Sequence, residues 1–559
     1  MEAEETDEQY VIGVDYGTLS GRALLVRVSD GVEVATAVHS YRNGVLEQTL
    51  PDLTTILQPD WALQVPHDYI EVLKETIPRM LKESGISKDH IIGIATDFTA
   101  CTVLPTLSDG TPLCELERFK ARPHAYAKLW KHHAAQKHAD RINELAHARG
   151  ESWINRYGGK ISSEWEFAKG LQVLEEDQEI YLTMNHWIEA SDWIVWQLCG
   201  TYVRNICATG YKAILQDDEY PSREFLKALN PKFEDFVETK VRQKLGQLGD
   251  VAGLLTEEAA HWTGLNAGIV VAVGNVDAHV TAAAANATQA GEFVAIMGTS
   301  TCHVMVGSEL STVEGMCGVV MGGIVPGKWG YEAGQSGVGD IFAWFTRTFV
   351  PAAYEENAHT AGLDIHDYLA QLVQLSPVGS HGLVALDWQS GNRSTLIDHT
   401  LSGLIMGLTL VTKPEEIYQA LVESTAFGTR KIIEAFTQSG VPVKTFIAAG
   451  GLTKSDFVMQ TYANILNRPI DVISSEQGSA LGSAIHAAVA AGAYENIEEA
   501  ASKMGGRKIA KFLPDSTTTQ VYDQLYSQYV YLYDLFGTGE KMHALRNIRN
   551  AARVNKDDE

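Results

Sequence analysis

Two stretches carry residue types that could handle phosphate: Tyr10-Val11-Ile12-Gly13-Val14-Asp15-Tyr16-Gly17-Thr18 and, far downstream, Phe293-Val294-Ala295-Ile296-Met297-Gly298-Thr299-Ser300. In each, an apolar β-run ends in a glycine turn followed by hydroxyls, then continues into a second run of strand formers, Arg22 to Val28 and Cys302 to Val306. Such a hairpin presents backbone N–H groups and a hydroxyl to phosphate oxygens. Asp15 stands where the first run meets its turn, placed to hold a hydrated Mg²⁺, since a bare carboxylate would repel phosphate. Asp-x-Gly-Thr by itself also satisfies an ordinary tight turn. The repetition, one copy opening each half of the chain, points to two halves closing on one nucleotide.

Asp277 is the candidate general base. It follows the apolar run Ile269 to Val273 and the Gly274-Asn275 turn, and it starts an alanine-rich helix, Ala278 to Ala287, where the two halves meet. Phosphoryl transfer asks for a carboxylate to take the attacking hydroxyl's proton and for electrostatic cradling of the γ-phosphate. Asp is equally a favoured helix N-cap, and position alone allows both readings. In the second half, Thr445 to Ala449 enters Gly450-Gly451 and a helix from Ser455 through Asn464. Glycines at a strand-to-helix turn let the backbone approach an adenosine and its α-phosphate, although Gly-Gly is also a common helix entry. Gly478-Ser479-Ala480-Leu481-Gly482-Ser483-Ala484 reads as a small-residue helix able to pack closely beneath such a site.

These residues need a frame of at least two domains, which 559 residues supply, each with its own core. The first half opens as an antiparallel meander turning at Asp30-Gly31 into Val32 to Val38. A helix follows over Asp68 to Glu83, with Pro78 inside it and Gly85 stopping it before a strand at Ile91 to Ala95. Pro123 to His147 and Glu164 to Glu175 read as helices in a segment rich in Trp and His. His132, His133 and His138 lack an acid partner at ligand spacing and read as a solvated helix face. Gly268 to Val276 and Gly403 to Val411 are too short and glycine-broken to span a bilayer and read as buried strands. Thr412-Lys413-Pro414-Glu415 reads as a capping box opening a helix toward Gly440. The expected division is 1–288, 289–500 and a helical extension over 501–559.

A net charge of −26 argues against nucleic-acid and anionic-membrane partners, which are bound through positive surfaces, but leaves Mg²⁺-nucleotides open. The acidic first residues lack a secretory pattern, so a cytoplasmic protein is expected. The six cysteines show no C-x-x-C spacing and read as reduced thiols in or near the core.

Taken together these motifs resemble the FGGY carbohydrate kinases, a branch of the superfamily of actin, sugar kinases and chaperone ATPases, over nearly the whole chain. Asp15-Tyr16-Gly17-Thr18 with Ser20 and Arg22 is similar to the family's first phosphate turn, Gly298-Thr299-Ser300 to its second, and Gly450-Gly451 to its adenosine motif. Gly403-Leu404-Ile405-Met406-Gly407-Leu408, followed by Glu416 to Glu423, is similar to its C-terminal pattern. The resemblance implies an α/β fold of two actin-like, ribonuclease H-like domains flanking a central cleft. It implies ATP contacts from Asp15, Gly17, Thr18, Ser20, Arg22, Gly298, Thr299, Ser300, Gln335, Gly450, Gly451, Leu452 and Asn464, with Mg²⁺ at Asp15 and Asp277. Gly93 to Thr99, Leu129 to His133, Gly210-Tyr211-Lys212, Gly274 to His279 and Glu332 to Gln335 resemble the family's ketopentose-specific branch. They imply that Thr96, Asp97, Lys212, Asp277 and Glu332 contact a ketopentose, with Asp277 as base. The implied substrate is ribulose, phosphorylated at O5 in L-arabinose breakdown, and a homodimer is the expected assembly.

Overall fold

The computed structural model describes residues 8–557. Val11, Ile12, Val14 and Tyr16 are all buried, so the first strand presents apolar side chains to both faces and takes a central position. The strand Tyr10–Tyr16 pairs antiparallel with Ser20–Arg27, which pairs antiparallel with Glu33–Ser40. On its other edge Tyr10–Tyr16 runs parallel to Ile91–Phe98, followed by Val270–Ala272 and the antiparallel edge strand Val251–Leu254. The second half repeats this plan. Glu292–Met297 pairs antiparallel with Thr301–Gly307 and parallel with Thr445–Ala449, and Thr301–Gly307 pairs antiparallel with Trp329–Gln335. Ile470–Ile473 continues the parallel side. Two sheets of one topology, each opened by the hairpin singled out in the sequence, give the doubled α/β architecture expected.

Two helices of small residues lie between the sheets. Gly478–Ala490, from the second half, packs on the first strand of the first half and on the helix Asp277–Ala284. Glycine is required at both contacts. A Cβ on Gly13 would stand 1.8 Å from the Ala480 carbonyl oxygen, and one on Gly482 would stand 2.2 Å from that of Val280. The core here mixes both halves, with Val11, Leu24 and Ala95 against Val294, Ile447 and Ile485.

Residues between the strands Ile91–Phe98 and Val270–Ala272 form an insertion with a core of its own, including Phe119, Ile142, Phe167, Trp187 and Phe236. Its helices differ from the sequence expectation. Pro123 to His147 is not one helix: Pro123–Ala125 is a single 3₁₀ turn, Ala127–Lys128 is a short strand, and the α-helix is Gln136–Arg149. His132 and His138 are buried rather than solvated. The His132 ring accepts from the Ala62 N–H at 3.3 Å and bonds Gln172 at 2.9 Å, and only His133 stands partly in solvent, beside Glu164.

Three further segments depart from expectation. Only Leu404–Met406 of the Gly403 to Val411 run is a strand, and Leu408, Leu410 and Val411 are exposed. The capping box sits one residue later than read: the Glu416 carboxylate accepts the Lys413 N–H at 2.7 Å, while Thr412 Oγ1 accepts the Thr409 N–H. The region 501–559 is not helical throughout, because Arg507–Phe512 adds an antiparallel edge strand to the second sheet. The helix Thr519–Gly537 then buries Tyr522, Tyr526, Tyr529 and Tyr533 against that half. The helix His67–Ser84 matches its reading, running through Pro78 and closing at Gly85 with φ 69°.

Candidate active site

Both glycine turns and the interface helices converge on a cavity of about 250 Å³ between the halves. Asp277 lines it from the first turn of its helix, together with Thr18, Gly298, Thr299 and Ser300 of the two hairpin turns. Backbone amides shape those turns: Gly17 N–H donates to the Ser20 carbonyl at 3.0 Å and Gly298 N–H to the Ser300 carbonyl at 2.9 Å. The far wall holds Lys212, at the end of the helix Ile206–Lys212, and Glu332, on the strand Trp329–Gln335. Lys212 Nζ donates to both Glu332 oxygens, at 2.8 and 2.7 Å, so a fully buried ion pair joins the first half to the second. Arg393 adds a bond to Glu332 at 2.6 Å, and the His279 ring lies 3.3 Å from it.

A second cavity, about 360 Å³, adjoins the first through the shared Ile296 and Ser479. It is lined by Asp15, Arg22, Gly450, Gly451, Lys454, Lys508 and Lys511 among others. Gly450 has φ +88°, and a Cβ there would strike the Met297 carbonyl at 2.5 Å, so the glycine keeps the backbone exposed to the cavity. The Arg22 Nε–H is buried and has no partner. An unsatisfied guanidinium donor, three lysines and bare glycine backbone form a donor set that fits a polyphosphate.

Carboxylates collect where the cavities meet. Strand pairing sets Asp15 beside Asp97, and Asp97 beside Asn275, two residues before Asp277. Burial, together with the Asp15 charge, raises the Asp277 pKa to about 7. Burial and Asp15 push Asp97 well above the usual carboxylate range, and burial raises Asp15. Asp97 Oδ1 is buried without a partner. Acidic groups that repel one another beside a polyphosphate-shaped cavity match what a hydrated Mg²⁺ neutralises through one or two carboxylates. Glu332 behaves oppositely: burial alone would raise its pKa, but Lys212, His279 and Arg393 hold it well below the carboxylate range.

Most residues named from sequence border these cavities, and several do not. Asp277, Lys212, Glu332, Thr18, Gly298, Thr299 and Ser300 border the first, and Asp15, Arg22, Gly450 and Gly451 the second. Gly17 and Ser20 shape the first turn through their backbone bond. Leu452 lies near the second turn, its Cδ2 3.7 Å from a Cβ placed on Gly339, whose nearest neighbour is the Gly298 carbonyl. Thr96 and Asp97 are buried in the sheet and do not line the first cavity; Ser483 Oγ donates to Asp97 Oδ2 at 2.5 Å, and Thr96 Oγ1 has no partner. Gln335 lines neither cavity; its amide bonds Asp387 and the Thr425 carbonyl, and its oxygen accepts from Thr429 and pairs with His303. Asn464 is likewise occupied, its oxygen accepting from Gln460 and the Asp515 N–H. Sequence reasoning missed Arg393 and Glu164. Arg393 reaches the cavity through its bond to Glu332, 61 residues away in the same half, and Glu164 lines it from the insertion, placements that spacing along the chain does not show. Trp130 lay in a quoted stretch without a role and lines the first cavity.

The chain matches the FGGY family of carbohydrate kinases, N-terminal domain, over residues 10–284 and the family's C-terminal domain over residues 293–491. It is 58% identical to a ribulokinase of Mycolicibacterium smegmatis, covering 97% of each chain. It is 50% identical to a ribulokinase of Anoxybacillus flavithermus, covering 98% of this chain and 99% of that one. In fold it is similar to the crystal structure of xylulose kinase from Rhodospirillum rubrum, with a TM-score of 0.77 at 22% identity over 96% of this chain and all of the other. It is also similar to gluconate kinase from Lactobacillus acidophilus, with a TM-score of 0.78 at 20% identity over 95% and 99%.

Proposed function

We propose, for a chain that belongs to the FGGY family of carbohydrate kinases through both of its halves, transfer of the γ-phosphoryl group of ATP to O5 of ribulose, the L-isomer first and D-ribulose as well. The enzyme is a sugar kinase, and its full-length likeness to ribulokinases supports the choice of ketopentose. The observation that carries the reading is the position of Asp277, at the junction of a small polar cavity and a cationic, glycine-lined one.

In this reading the sugar lies in the first cavity, its carbonyl and hydroxyl oxygens bonded by Lys212, Glu332 and Arg393 in a directional, charge-assisted array. Asp277 accepts the proton of the C5 hydroxyl as that oxygen attacks the γ-phosphorus. Thr18, Thr299 and the turn amides receive the equatorial oxygens, and Arg22 bonds the polyphosphate through its free Nε–H. Asp15 and Asp277, with water, would hold a Mg²⁺ ion, which would supply neutralisation of the phosphate charge. Approach of the two halves excludes water and limits hydrolysis of ATP without sugar.

The test is coupled ADP release with Mg²⁺-ATP against L-ribulose, D-ribulose, L- and D-xylulose, L-arabinose and glycerol. Turnover peaking on ribulose is expected. Equal ADP release with and without every sugar would overturn the reading.

A further inference from the structure

Behind the first cavity lies a charged side chain without a role in that mechanism. Lys169, on the helix Glu166–Glu176, is completely buried, yet its ammonium bonds main-chain oxygens. Nζ donates to the Cys101 carbonyl at 2.6 Å and to the Leu129 carbonyl at 2.9 Å. These two carbonyls belong to segments that come from different parts of the chain and wall the same cavity. Thr99, Ala100 and Cys101 line it just beyond the central strand Ile91–Phe98, and Trp130, the residue after Leu129, lines it from the insertion. The Trp130 indole N–H donates to Thr18 Oγ1 of the first phosphate turn at 3.2 Å.

The local backbone shows why a cation is needed there. Cys101 holds φ 63°, a left-handed conformation that a residue with a side chain keeps only where its surroundings hold it. The two carbonyl oxygens converge on one buried point, and an ammonium supplies three donors on a long stem that can reach both. An apolar side chain of the same length would fill the space, take from the Cys101 oxygen its Lys169 bond, and leave the Leu129 oxygen only the His132 N–H at 3.0 Å.

We infer that Lys169 is a positioning residue for the sugar: its ammonium ties the Cys101 loop to the Leu129-Trp130 segment, fixing the two walls of the ketopentose cavity relative to each other. This rests on the ribulose reading above. Lys169 touches neither sugar nor phosphate in this role, so its loss acts on sugar binding and spares ATP.

The test compares steady-state kinetics of the full-length enzyme with hydrogen exchange of peptides spanning 99–102 and 127–131 in the ligand-free protein. In Lys169→Met the ribulose KM rises about tenfold or more, as befits loss of two charge-assisted bonds, while kcat and the ATP KM change less than about threefold. Exchange in both peptides speeds up. Adding Cys101→Gly to Lys169→Met recovers part of the ribulose KM, judged against Cys101→Gly alone, because glycine adopts the left-handed conformation unaided. A folded Lys169→Met with unchanged ribulose KM and unchanged exchange overturns the proposal, as does a general impairment in which kcat falls and the KM values for ribulose and ATP rise together. Should Lys169→Met not fold, Lys169→Gln, which keeps an N–H donor, carries the same comparison. A wild-type enzyme inactive on ribulose would sink the substrate reading, while the exchange measurement would still decide whether Lys169 fixes these segments.

Discussion

In the proposed reading Asp277 gathers the chemistry at one carboxylate, and its environment sets when that carboxylate can act. With its pKa raised to about 7 by burial and by Asp15, the residue is half protonated near neutrality. A base works only when ionised, so kcat/KM for ribulose should climb with pH with a slope of one on the acid side, pass half its maximum near pH 7 and level off about one pH unit above that. Stability runs the other way. The folded state holds this proton more tightly than the unfolded chain, so the contribution is fully present below the ordinary Asp value of 3.8 and is lost as pH rises through about 7. Asp277→Asn should therefore lower kcat by about 10²–10⁴-fold and, at pH 8, melt at a higher temperature than the parent. A variant that kept its rate, or melted lower at pH 8, would contradict the assignment. Arg22 offers a second check, because its Nε–H is buried without a partner. Arg22→Met should raise the ATP KM about tenfold or more while leaving the ribulose KM unchanged.

At the scale of elements, the sequence was most legible where one local pattern decides the outcome. Both hairpins, the helix stopped by Gly85 and the small-residue helix at Gly478 follow from turn chemistry and periodicity. The misreadings share a physical cause. Pro123 to His147 has helical composition, but Trp61 packs edge-on against His124 and His132 and Ala127–Lys128 joins a small sheet, so tertiary pairing overrides propensity. Asp97 and Gln335 carry the right residue types beside the site, yet contacts far along the chain, with Ser483 and with Asp387, decide that they face inward. Arg393 reaches the cavity by the same kind of long-range packing. The contact between the first strand and the helix Gly478–Ala490 admits no side chain, so Gly13→Ala should destabilise the protein by about 1–3 kcal/mol or more, read from denaturant midpoints. Wild-type stability in that variant would mean that the helix does not sit as close as the structure places it. Glu332→Gln should cost about 3–5 kcal/mol, because it leaves Lys212 buried without its counter-ion.

The whole molecule is two copies of one plan, but energetically the halves are not separable. The core between the sheets draws Val11, Leu24 and Ala95 from the first half and Val294, Ile447, Ile485 and Ala501 from the second. A helix of the second half lies on the first strand of the first half, and the Lys212–Glu332 pair joins the halves at the cavity's far wall. Unfolding either sheet alone would expose the shared apolar core and strand a buried ion pair, which costs more than a weak interdomain contact could resist. Calorimetry of the full chain should therefore show the two sheets melting in one transition. Gly13→Ala and Glu332→Gln, one in each half, should move that transition as a whole. Two resolved endotherms, with each substitution shifting only the one belonging to its own half, would show that the halves fold independently. The same coupling bears on the proposed catalysis, in which sugar bonded by Lys212 and Glu332 and polyphosphate bonded by Arg22 and the second-half glycines would each bridge the halves. Ribulose and a non-hydrolysable ATP analogue added together should then raise the melting temperature by more than the sum of their separate shifts. Strict additivity would mean that each ligand is bound within one half and that closure plays no part in bringing them together.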